Sequence, residues 1–132
     1  MIVLDASAAV ELILRTQRAA WIEKRALDPG ERLHAPELID IEVAQVLRRL
    51  LQARELTPGR AEEAFADYRD LSIERYEHRS LLGRIWDLRT SLSAYDAAYV
   101  ALAEALAAPL VTCDEKLARS HGHGVRVELA PS

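Results

Sequence analysis

Met1-Ile2-Val3-Leu4-Asp5, continued by Ala6-Ser7-Ala8, decides how the rest of the chain is read. Its first four residues are apolar and include Ile and Val, the composition of a short strand buried on both faces. A carboxylate closes the run, at a point where a charge is costly unless something compensates it. Ser7 is a good N-cap, and Ala8 to Arg15 has helical spacing, so the stretch reads as a strand turning into a helix.

The same grammar recurs downstream. A second amphipathic helix, from about Thr16 to Leu27, ends at the turn Asp28-Pro29-Gly30. Leu33 to Ala35 is a second strand, closed by Pro36. Glu37 to Arg54 is the strongest helical pattern, with Ile39, Val43, Val46, Leu47 and Leu50 on one face. Thr57-Pro58 opens another helix, running to about Leu71. Ser72 to Tyr76 reads as a third strand, and Arg79 to Thr90 and Ser93 to Ala107 as helices. After Pro109 come a buried strand from Leu110 to Cys113 and a short helix from Asp114 to Ser120. A turn, His121-Gly122-His123-Gly124, leads into a closing strand from Val125 to Leu129. Strands alternating with one or two helices imply right-handed crossovers. The expected architecture is a three-layer α/β/α sandwich on a short parallel sheet, one domain over residues 1–132.

Composition narrows the function classes. Half of the residues are apolar, enough for a core. No apolar run approaches the roughly 20 residues of a bilayer span, and no basic region precedes an apolar segment, so a cytoplasmic location is expected. Cys113 is the only cysteine, which excludes an intrachain disulfide and a thiolate metal site, and it reads as core. A net charge of -4 does not suit a protein that coats nucleic acid by bulk electrostatics. Local contact through arginines and bound cations stays open.

Four acids stand out. Asp5 and Asp114 follow strands, at the edge where an open parallel sheet places its chemistry. Glu42 and Asp96 fall at the rims of the buried faces of their helices. Each has a plain structural reading: support of the turn before Ser7 for Asp5, a helix cap for Asp114 and Asp96, and a surface ion pair with Arg48 or Arg49 for Glu42. As a set they can converge at one sheet edge, where like charges would raise one another's pKa values. A hard divalent cation removes that conflict, and Mg²⁺ takes oxygen ligands while keeping several waters. Such a site suits phosphodiester cleavage by metal-activated water.

At these residues the chain resembles the PIN-domain ribonucleases, and among them the VapC-type toxins of bacterial toxin–antitoxin pairs. The matching segments are Met1 to Ala8, Pro36-Glu37-Leu38 through Glu42-Val43-Ala44 to Arg49, Arg89 through Tyr95-Asp96-Ala97-Ala98-Tyr99 to Ala103, and Val111-Thr112-Cys113-Asp114 to Ala118. The resemblance implies a pocket of Asp5, Glu42, Asp96 and Asp114 holding one or two Mg²⁺ or Mn²⁺ ions. Ser7 and Thr112 would support it with hydroxyls, with N-cap and strand residue as their plain readings. Arg89 would contact phosphate or pair with an acid, unless it is an exposed helical arginine. Lys116 stands where some relatives carry a further acid, which implies a second metal bound weakly or only with substrate present. The family also implies an RNA substrate, a homodimer, and a small antitoxin whose tail blocks the pocket. The apolar surface of the first two helices, including Trp21, is its candidate docking groove, with core packing as the equal reading of Trp21.

Other residues attract plainer readings. His121 and His123 lack a third ligand and read as a solvated loop, and His34 and His78 have no evident partner. Trp86, Tyr95 and Tyr99 lie at helical spacing and read as packing, although Tyr95 could stack a base. Rival functions are weaker. A phospho-acceptor receiver needs an Asp after its third strand, and residues 50–57 offer none. A phosphohydrolase with a nucleophilic Asp typically has a second Asp two positions on, where this chain has Ser7. A non-catalytic PIN-fold binding module would be expected to lose pocket acids, and all four are present.

Overall fold

Asp5 ends the first strand by capping the helix that follows it. Its backbone is extended (φ -89°, ψ 171°), and its Oδ1 accepts the Ala8 N–H at 3.0 Å. The computed structural model describes residues 1–132. Strand β1 (Ile2–Leu4) is fully buried, and helix α1 (Ala6–Leu14) starts earlier than Ser7 as a cap would allow. Ser7 therefore lies inside the first turn, with its hydroxyl released for other partners.

Helix α2 (Ala19–Ala26) is shorter than its pattern suggested, because Thr16 to Arg18 form a turn instead. Trp21 is half-buried and packs against the core. Strand β2 (Leu33–Pro36) leads to α3 (Ile39–Gln52), whose face of Ile39, Val43 and Leu47 is buried. Thr57 caps α4 (Pro58–Asp70) by accepting the Arg60 N–H. Strand β3 (Ile73–Tyr76) is followed by one 3-10 turn (Arg79–Leu81) and by α5 (Leu82–Asp87). That pair replaces the single helix expected over 79–90, and no residue of α5 is buried. Trp86 is accordingly 67% exposed and not a packing residue.

Helix α6 (Ala94–Leu106) is capped by Ser93, and seven consecutive residues from Ala97 to Ala103 are buried. Strand β4 (Leu110–Thr112), the short α7 (Glu115–Ala118) and β5 (Val127–Leu129) complete the chain. Cys113 is half-buried against the core. The histidines acquire structural partners: His34 Nδ1 lies 2.7 Å from the Tyr76 hydroxyl, and His78 Nε2 accepts the Leu38 N–H.

All five strands are parallel, in the order β3-β2-β1-β4-β5, with Ile2 opposite Leu33 and Leu4 opposite Val111. The chain moves outward from β1 to β3, then returns past β1 to start β4. Right-handed crossovers in opposite directions put α1 to α4 on one face and α5 to α7 on the other. The strand order reverses between β1 and β4, and ligands of open α/β sheets bind outside the carboxyl ends of the strands at that point. No helix is long and apolar enough to cross a membrane.

Candidate active site

Four separated segments deliver their acids to that crevice. Asp5 follows β1, Asp114 follows β4, Glu42 stands in the first turn of α3, and Asp96 in the first turn of α6. All four line one cleft of about 240 Å³, together with Ala6, Ser7, Gln45, Val46, Arg49 and Tyr99. A larger cleft of about 600 Å³ lies near the start of β5, but its main charges are already paired, Arg25 with Glu128 and Glu104 with Arg84. Of these two, the acidic cleft is the one whose charges are uncompensated.

Asp5 is only 5% exposed and is held by three donors. Thr112 Oγ1 donates to Oδ2 at 2.5 Å, and Ser7 Oγ and the Ala8 N–H donate to Oδ1. The two hydroxyls also accept backbone protons, Ser7 from the Cys113 N–H and Thr112 from the Asp114 N–H. They thereby tie the end of β4 to the end of β1. Asp114 caps α7 by accepting the Lys116 N–H. Asp96 does not serve as a cap, since Ser93 fills that place and accepts the Asp96 N–H. Glu42 makes no pair with Arg48 or Arg49; its Oε1 accepts the Tyr99 hydroxyl at 2.6 Å.

The electrostatics are those of crowded carboxylates in a partly dry site. Burial pushes the Asp5 carboxyl up to about 6, against the pull of its hydrogen bonds, and the charge of Asp96 adds to the rise. Burial also raises Glu42, with Asp96 adding, and the Tyr99 hydroxyl opposing. Asp96 is raised by burial first and by Asp114 second, while Lys116 opposes. Asp96 is thus the acid whose charge is felt with all three others. No three of these side chains converge closely enough to enclose an ion unaided. An all-oxygen, mutually repelling set of this kind fits a hard cation held by few carboxylates and completed by water and substrate.

The profile of the PIN domain matches residues 2–121. The chain belongs to the PIN-domain family. Within it, the chain is 40% identical over 129 residues to ribonuclease VapC12 of Mycobacterium tuberculosis, covering 98% of each chain. It is 48% identical over 117 residues to ribonuclease VapC9 of the same organism, covering 89% of this chain and 88% of that one. The solved VapBC2 from Rickettsia felis, bound to a DNA fragment from its promoter, has the same fold: TM-score 0.68 at 16% identity, over 97% of this chain and 98% of that one.

In this PIN domain the structure gathers Asp5, Ser7, Glu42, Asp96 and Asp114 at one cleft with Thr112 behind them, but not Arg89. Its guanidinium stacks over Trp86 at 4.6 Å and donates to the Trp86 carbonyl, outside the walls of the cleft. Tyr99, Gln45 and Arg49 are walls that the sequence reading missed. Gln45 and Arg49 stand three and seven residues after Glu42, the spacing that continues its helix face, and that was the available signal. Tyr99 is three residues after Asp96 and 1% exposed, a packing residue that also carries a polar duty.

Proposed function

We propose that this PIN domain, residues 1–132, is a metal-dependent endoribonuclease in which Asp5, Glu42, Asp96 and Asp114 hold one or two Mg²⁺ or Mn²⁺ ions. The observation that carries the reading is the meeting of these four acids, from four distant segments, at the switch point of the sheet. A divalent cation held there supplies Lewis-acid activation of water and neutralises charge at the scissile phosphate. The chain's own part is positioning. Ser7 and Thr112 fix both oxygens of Asp5, and the Tyr99 hydroxyl fixes one oxygen of Glu42. Arg49 is the one cationic wall of the cleft and would meet a phosphate oxygen.

The RNA substrate, the role of toxin in a toxin–antitoxin pair, the homodimer and the cytoplasmic location rest on family membership. An acidic cleft suits an antitoxin tail that plugs it with a basic side chain. A binding module without catalysis would leave four partly buried carboxylates in mutual repulsion for no return.

Purified protein incubated with total RNA and Mg²⁺ or Mn²⁺ should cleave it, and EDTA should stop the reaction. Asp96→Asn should reduce cleavage at least 100-fold with an unchanged circular dichroism spectrum, on the scale of losing a group that acts mainly in the transition state. Undiminished cleavage in EDTA would refute the metal mechanism. An unfolded Asp96→Asn protein would return that residue to a structural role.

A further inference from the structure

The turn His121-Gly122-His123-Gly124 is unused by the nuclease reading, yet it is fixed in place. Gly122 has φ +88°, in the left-handed region where a side chain would be strained. Arg84 Nη2 donates to the Gly122 carbonyl at 3.0 Å while the same guanidinium pairs with Glu104. His123 is consumed within the turn. Its Nδ1 accepts the Val125 N–H, so its Nε2 carries the proton and donates to Ser120 Oγ at 2.8 Å, which donates in turn to the Leu117 carbonyl. His123 is a staple, and the exposed His121 is left without such a duty.

His121 lines a second cleft, of about 450 Å³, with Lys116, Arg119, Ser91, Ser93 and Asp96. Asp96 is also a wall of the acidic cleft, so the two clefts meet at that residue. One holds four carboxylates; the other holds two cations, an imidazole and hydroxyls against a single acid. We propose that Lys116, Arg119 and His121 seat the RNA backbone phosphate that adjoins the one cleaved.

The inference rests on the nuclease reading of the neighbouring cleft and deepens it. A strand with its scissile phosphate among the carboxylates must leave that cleft over one of its walls, and Asp96 is the wall that opens onto cations. The cations are available: Arg119 pairs only with Glu115, at 78% and 61% exposure, which is a weak bond. A chain of net charge -4 needs such a local seat, because it has no general attraction for phosphate. Backbone contacts of this kind fix the register of a strand without reading its sequence.

Fluorescence anisotropy of a labelled single-stranded oligouridylate, in EDTA to prevent cleavage, tests the seat. Lys116→Ala/Arg119→Ala should bind about 10–100-fold more weakly than wild type, with a salt slope smaller by about one. His121→Ala, which leaves α7 untouched, should show a smaller loss in the same direction. Arg48→Ala/Arg69→Ala removes two exposed charges that line neither cleft and should bind as wild type does. Equal binding by the cleft variant and this control, or no binding by wild type, would overturn the proposal. So would a cleft variant that keeps RNA affinity but loses its antitoxin, which would assign the cleft to a protein partner. Wild type that binds RNA but never cleaves it with metal would sink the nuclease and leave the phosphate seat standing. Wild type that cleaves, beside cleft variants that bind unchanged, would sink the seat alone.

Discussion

Asp5 shows what a buried acid does to its own fold. Its folded carboxyl lies at about 6, above the ordinary value of 3.8 in the unfolded chain. Below pH 3.8 Asp5 is mostly protonated in both states, and its burial carries no charge penalty. As pH rises through this window the unfolded chain ionises first, so stability falls until the folded group has also ionised. Above pH 6 the loss is on the order of 3 kcal/mol, taking 1.36 kcal/mol per pKa unit. Asp5→Asn removes that penalty and keeps an acceptor for Ser7 and Ala8. In EDTA the variant should be more stable than wild type in urea at pH 7.5 by about 1–3 kcal/mol, with the gap closing by pH 4. A gap that stays constant with pH, or a less stable variant, would mean that the carboxylate's hydrogen bonds outweigh its desolvation.

At the scale of elements, the site depends on a tie between helices on opposite faces of the sheet. Tyr99 of α6 reaches Glu42 of α3 through one hydroxyl, and burial together with Glu42 raises the phenol well above its usual range. Tyr99→Phe keeps the packing and deletes that bond. Loss of a group that orients a ligand typically costs 10–100-fold in metal affinity or activity. Calorimetric titration with Mn²⁺ should show a weakening of that size with little change in melting temperature; unchanged affinity would make the bond purely structural. This tie also marks the limit of sequence reading. Asp5, Glu42, Asp96 and Asp114 were legible because each breaks an apolar pattern at a strand end or helix rim. The parallel order was legible because strands alternate with helices. The Tyr99–Glu42 bond joins residues 57 apart, and helical spacing says only that each faces inward. The helical spacing over 79–90 overstates α5 for a related reason: Leu82 and Trp86 have the right spacing, but no element covers them.

At the scale of the whole molecule, the proposed metal site would couple folding, protons and cation binding. Asp5, Glu42 and Asp96 all resist ionisation, so a cation bound among them, as proposed, would relieve their mutual repulsion. A ligand that binds only the folded state stabilises it by about 2.7 kcal/mol at 100 times its Kd. Carboxylates must be deprotonated to bind, so that stabilisation depends on pH. Saturating Mg²⁺ or Mn²⁺ should therefore raise the melting temperature clearly at pH 7.5 and little at pH 5, below the Asp5 carboxyl at about 6. Asp5→Asn and Asp96→Asn should each blunt the shift, Asp96→Asn the more because its charge is felt with the other three. Ca²⁺, larger and less exacting, should stabilise by less at equal concentration if the site favours octahedral coordination. An equal shift at both pH values, or one that survives in Asp96→Asn, would place the cation elsewhere on the surface and separate the acidic cleft from the metal.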